Sequence, residues 1–309
     1  MSVILHLVTY ACLVIFAAAV VVKYLKYNNM PQHLRWELYP VAHEGEKAHY
    51  GGSYFEDVDW WKKPRKMDRI SEARHMVPEM LFLVALKEHN PSMWYRSFPF
   101  HFGMYSLIGF LVLLAAGGVM GMAGIAVEAG AGLGGAVYYL TIGAGFFGVV
   151  LGIAGALGLL QRRLFDEDLK DFTKPSDIFN LVFLLAVFAL LLIYGLMEPS
   201  FDSMREYVRS AVAFDLSYSP DNPVCSAAIL LASLVVAYIP LTHMSHFVVK
   251  WFTYHKIRWD DEPNMRGSAV EKNIGEELQY PITWAASHIN PDGKARTWAQ
   301  AATESEENK

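Results

Sequence analysis

Two cysteines in 309 residues, Cys12 and Cys225, both set in apolar runs, are too few for a disulfide framework or a thiolate-held metal or iron–sulfur site. A redox centre held by this chain therefore has to use histidine. Charge is scarce as well: Asp, Glu, Lys and Arg make up 18% of residues, no basic block occurs, and the net charge is −5. Phosphate neutralisation needs clustered Lys and Arg, so nucleic acid is excluded as a partner. What is plentiful is apolar surface, 53% of residues, with a mean hydropathy of +0.22. The 26 basic and 31 acidic residues must then be segregated from it along the chain, which is the pattern of a membrane protein.

A spanning helix needs about 20 mostly apolar residues, and that requirement selects 3–22, 98–120, 136–160, 177–197 and 224–250. The expected fold is an all-α membrane protein, a bundle of five transmembrane helices in the lipid bilayer. The first segment lacks a basic n-region and a small-residue cleavage site before Lys23, so it is expected to be a retained span. Lys and Arg number 12 in 23–97, 4 in 161–176 and 8 from Lys250 onward, against only Arg205 and Arg209 in the other loops. By the positive-inside rule the N-terminus is expected outside and the C-terminus inside. The chain then divides into span 1 (1–22), a long cytoplasmic segment (23–97), a four-helix membrane domain (98–258) and a cytoplasmic tail (259–309). Within 23–97, the stretch from Met76 to Leu86 is too short to span, and it reads as an interfacial helix or one that docks a partner. The outer loops, 121–135 and 198–223, do not look catalytic.

Polar groups inside spans are costly, and the eleven histidines are not randomly placed. His101 falls early in helix 2, and His243 and His246 in the last two turns of helix 5, all near the inner face on the expected topology. Imidazoles from two helices at one depth suit the axial ligation of a haem iron; with no C-x-x-C-H segment, the haem would be of b type. His243 and His246, three apart, lie within about 60° around a helix, so spacing does not choose between them, and Pro240 just before them is able to kink the helix. His6 has no histidine at matching depth and is expected at the interface, without a metal.

Gly145, Gly148, Gly152 and Gly155 follow a three-and-four spacing on helix 3, and Gly103 lies near the haem level of helix 2. They could present a smooth face to a porphyrin. Taken alone, they fit ordinary small-residue helix packing better.

The run Gly158-Leu159-Leu160-Gln161-Arg162-Arg163-Leu164-Phe165 followed by Asp177-Ile178, the five-helix plan, His101 early in helix 2, and Pro240 six residues before His246 together resemble the gamma subunit of respiratory nitrate reductases over roughly 98–258. The resemblance implies one haem b on His101 and His246, with His243 at a non-ligand position. The positions of a second, outer haem's ligands are Leu111 and Ala228, which implies a single haem near the cytoplasmic face. The segment Pro31–Pro40 and the runs Thr242–His246 and Phe252–His255 look closer to the membrane subunits of heterodisulfide-reductase-like complexes, linked to sulfite reductase or to tetrahaem cytochromes in sulfate reducers. That likeness implies menaquinone as substrate, a cytoplasmic iron–sulfur subunit as partner, a periplasmic multihaem cytochrome c as a further member, and the cytoplasmic (inner) membrane of a bacterium or archaeon as location.

A haem near one face cannot carry electrons across a core about 30 Å thick. The expected mechanism is therefore local relay between an inner-leaflet quinone and the iron–sulfur partner, without turnover by this chain alone. Quinone chemistry also moves protons; His43, His75 and Glu79, in or near the interfacial stretch, are the candidates to carry them. The alternative is a haem-free membrane anchor or a small transporter subunit.

Overall fold

The computed structural model describes residues 2–30, 41–42, 44–50, 53–64, 66–259, 264–287, 289 and 292–303. Helices α1 (Ser2–Asn28), α2 (Gly45–Ala48), α3 (Arg69–Phe82), α4 (Val84–His89), α5 (Pro91–Met122), α6 (Leu133–Phe165) and α7 (Glu167–Lys170) make up the first part. They are followed by α8 (Pro175–Met197), α9 (Asp202–Val212), α10 (Pro223–Tyr238), α11 (His246–Phe252), α12 (Ala269–Glu277) and α13 (Trp298–Thr303). No strand is present among the described residues; one isolated bridge joins Pro281 and Thr297.

Among the described residues, five helical segments are long and apolar enough to cross a membrane: α1, α5, α6, α8 and Pro223–Leu241. Their outward residues remain apolar, as Ile4, Val14, Val112 and Leu196 show, each more than 60% exposed. A surface of that kind is stable against lipid and not against water. The helices overrun the apolar runs where caps extend them. Asn90 accepts the Met93 N–H (3.0 Å) and Pro91 occupies the first turn, so α5 starts seven residues before the apolar stretch. Asn222 and Pro223 start α10 in the same way.

Contacts group the chain into two compact units, 1–19 with 75–244, and 20–74 with 245–309. This division differs from the blocks 23–97 and 98–258 expected from composition, because contact ignores chain order. In the first unit the stretch Met76–Leu86 forms the end of α3 and the start of α4, separated by Leu83 in the left-handed region (φ 53°). Tyr105 of α5 donates to the Met80 carbonyl (2.8 Å) and Trp94 Nε1 to that of Phe82 (2.7 Å), so this stretch is fastened to α5.

The loop 198–223 contains a helix that composition did not reveal. Its helix α9 buries Met204, Arg205, Tyr207 and Ser210. Phe201, left-handed at φ 55° and buried, wedges against Phe110, Phe146 and Tyr194 with ring centroids 4.9–5.7 Å apart. His6, in the first turns of α1, is fully enclosed: Nδ1 lies 3.0 Å from the Ser2 carbonyl and Nε2 3.0 Å from Ser210 Oγ. Thr9 lies beside it in sequence and bonds both the Tyr207 hydroxyl (2.8 Å) and Ser233 (3.1 Å). Ser210→Ala would strip a buried imidazole nitrogen of its partner, an expected loss of about 1–3 kcal/mol. Thermal unfolding in detergent would show it, and an unchanged midpoint would mean that His6 finds another partner.

In the second unit α1 ends against α11 and the π-helical turn that follows. Lys23 donates to Ser245, Tyr24 and Tyr27 meet Phe252 (5.3 and 6.0 Å), and Lys256 donates to the Asn28 carbonyl (2.6 Å).

Candidate functional site

His101 sits in the third turn of α5. Its Nδ1 lies 2.8 Å from the Ser97 carbonyl oxygen and 3.2 Å from Ser97 Oγ. A carbonyl can only accept, so Nδ1 is the donor in this bond. Phe100 lies edge-on at 5.5 Å. A ring whose other N–H is held by a backbone carbonyl is the usual arrangement for a metal-ligating histidine.

The fifth span departs from expectation. A continuous helix over 224–250 would carry His243 and His246 in its last turns, but α10 stops at Tyr238. Pro240 has no N–H to continue the ladder, Ile239–Leu241 tightens into a 3-10 turn, and Thr242 is extended. The Thr242 hydroxyl donates to the Ile239 carbonyl (3.1 Å) and accepts the Met244 N–H (3.2 Å), which starts a new turn over His243–Ser245. His246 is the first residue of α11. The two histidines thus stand on different elements, and the angular relation expected on one helix does not apply. His243 belongs to the first unit and is exposed, with Nε2 3.8 Å from Asp177 Oδ1; Arg163 lies 3.8 Å from the other oxygen of Asp177. His246 belongs to the second unit and is exposed as well.

The glycine spacing, which fitted small-residue packing better than a porphyrin face, meets protein at each of these positions. A Cβ on Gly103 would stand 2.5 Å from the Gly152 nitrogen and 2.8 Å from the Gly148 carbonyl; on Gly148, 2.9 Å from Leu107. On Gly145 it would meet Phe110 at 3.1 Å, and on Gly152 it would meet Phe188 at 3.0 Å. Gly103 and Gly148 let α5 and α6 approach backbone to backbone, as small-residue packing does, while Gly145 and Gly152 make room for the Phe110 and Phe188 rings.

Of the proton-carrying candidates, His43 lies outside the described residues. His75 is exposed on α3. Glu79, one turn on, accepts the Ala85 N–H at 2.8 Å and so caps α4.

The second unit holds a cluster around His255 that the sequence did not single out. His255 stands on the π-helical stretch Thr253–Arg258, closed by the Trp259 N–H to the Tyr254 carbonyl (2.8 Å). Its ring packs on Trp251 (3.9 Å) and edge-on to Trp259 (4.9 Å), and Nε2 faces buried Glu72 at 3.4 Å; Arg69 holds Glu72 at 2.7 Å. Burial pushes the imidazole below its ordinary 6.5, with Glu72 opposing and Arg69 reinforcing that shift. A base with a lowered folded pKa contributes stability that is complete above 6.5 and is lost as pH falls through the folded value. We expect the melting midpoint of the chain to drop on acidification below 6.5, and His255→Phe to flatten that slope. An identical slope in the variant would assign the effect to other groups.

No cluster of three or more His, Cys, Asp or Glu able to hold a metal ion occurs among the described residues. Axial ligation of a haem asks for only two. No protein-family model, curated protein or solved structure matches this chain.

Proposed function

We propose that the chain is the b-type cytochrome subunit of a respiratory electron-transfer complex. In this reading it relays electrons between menaquinone and a cytoplasmic iron–sulfur subunit of heterodisulfide-reductase type, with a periplasmic multihaem cytochrome c as a further partner. His101 and His246 are the axial ligands of one haem b near the inner face, with His243 the alternate. The observation that supports it is the bond from His101 Nδ1 to the Ser97 carbonyl (2.8 Å), an arrangement in which Nε2 would be the ligating nitrogen. A haem there would supply one-electron chemistry, between ferric and ferrous iron. The chain's own residues then have two tasks. Ser97 orients His101, and a titratable side chain accepts the proton that accompanies quinol oxidation. His75, exposed on α3, and Glu79, which accepts the Ala85 N–H, are the two described candidates.

The test is a reduced-minus-oxidised spectrum with haem quantification on the purified chain. One haem b per chain supports the reading, none in a folded protein defeats it, and two would mean an unrecognised second ligand set. The filled glycine face favours a second reading, a haem-free membrane anchor, which predicts no visible spectrum at all.

A further inference from the structure

In the first unit, the turn from α3 into α4 and the start of α5 border a cavity of about 670 Å³, within the roughly 300–1,000 Å³ of small-molecule sites. Phe82, Val84, Trp94 and Phe98 give it apolar walls, and Lys87 and Glu88, both exposed, add one charge of each sign. The walls are fastened to one another. Glu79 accepts the Ala85 N–H across the turn (2.8 Å), and Trp94 Nε1 donates to the Phe82 carbonyl (2.7 Å). The Trp94 ring lies parallel to Phe98 (4.6 Å), which stacks in turn on Phe102 (5.3 Å). Residues four apart lie on one helix face, so these rings form a ladder from the cavity into the apolar stretch that begins at 98.

Lys87 and Glu88 are the unusual pair. Although adjacent in the chain and lining one cavity, they form no ion pair with each other or with any other described residue. The Lys87 ammonium lies instead over the Trp94 ring, 5.4 Å from its centroid. Two opposite charges thus border the same space and are left for something else to bridge. Trp94 and exposed Tyr95 precede the apolar stretch by three to four residues, the place where aromatic side chains mark lipid headgroup depth.

We propose that this cavity binds a phospholipid whose headgroup carries a free ammonium, of the phosphatidylethanolamine type. Its phosphate meets Lys87, its ammonium meets Glu88, and an acyl chain lies along the Trp94–Phe98–Phe102 ladder. Charge complementarity selects this lipid: the two charges of the cavity sum to zero, as those of the headgroup do, whereas an anionic headgroup would leave Glu88 facing a like charge. The ammonium also donates N–H bonds to the carboxylate, which a trimethylated choline has none to give.

The delipidated full chain in mild detergent would be titrated with phosphatidylethanolamine, phosphatidylcholine and phosphatidylglycerol, with bound lipid read by native mass spectrometry. Wild type would be compared with Lys87→Gln and Glu88→Gln. Both side chains are exposed and outside any ion pair, so each variant should keep the lipid-free thermal midpoint of wild type. We expect wild type to bind one phosphatidylethanolamine roughly fivefold more tightly than either other lipid, the scale an exposed charge pair allows. Glu88→Gln should abolish the preference over phosphatidylglycerol, and Lys87→Gln should weaken phosphatidylethanolamine and phosphatidylglycerol alike. Phosphatidylcholine or phosphatidylglycerol bound by wild type as tightly as phosphatidylethanolamine, or a preference that survives in Glu88→Gln, would overturn the proposal. The outcome does not depend on whether the chain binds haem.

Discussion

His101→Ala is expected to remove the visible spectrum of the purified chain, with haem content falling to roughly a tenth or less of wild type, since even outer-shell changes at metal histidines cost about 10–100-fold. His246→Ala should do the same, and His243→Ala should retain haem. His101→Ala deletes the ring but leaves the Ser97 carbonyl on a well-packed helix, so the fold should survive and circular dichroism should be unchanged. Loss in His101→Ala and His243→Ala with retention in His246→Ala would move the second ligand to the 3-10 turn. That outcome would place both ligands in the same compact unit. Retention in all three variants would remove the axial pair from consideration.

Gly103→Ala should destabilise the protein by about 1–3 kcal/mol or more, because its methyl group would press on helix backbone, which cannot rotate away as a side chain does. Gly155→Ala belongs to the same class, its Cβ 2.3 Å from the Phe100 nitrogen. Gly143→Ala is the control: nothing lies within 4 Å, and removing a helical glycine there should leave the midpoint unchanged or raise it. Any haem bound per folded chain should be the same in Gly103→Ala as in wild type. A spectral shift without loss of stability would instead mean that these glycines face a bound ring.

The five spans are legible in the amino-acid sequence because a spanning helix is a local property: 20 or so apolar residues in a row are enough. Helix starts are legible for the same reason at Asn90-Pro91 and Asn222-Pro223, where a cap acts on the next turn. Pro240 is visible as a kink, but whether the helix resumes or stops depends on the Thr242 hydroxyl, whose two bonds belong to the folded turn. His101 stands out by its depth; the Ser97 bond to its Nδ1 is also local, four residues back.

What stays hidden in the sequence is every polar group whose partner is distant in the chain. His6 and Ser210 are separated by 204 residues, Thr9 and Ser233 by 224, and no periodicity in either segment announces the pairing. Arg205 reads as one of two basic residues in the loop 198–223, and its burial becomes visible only once α9 lies on the glycines of α5. The glycine spacing on α6 is plain, yet its meaning depends on what fills the face. Sequence by itself determined how many segments are long and apolar enough to cross a membrane, because transfer into a bilayer is summed along one segment. Only the tertiary structure decided which polar atoms find partners, because a hydrogen bond is a property of two places in the chain at once.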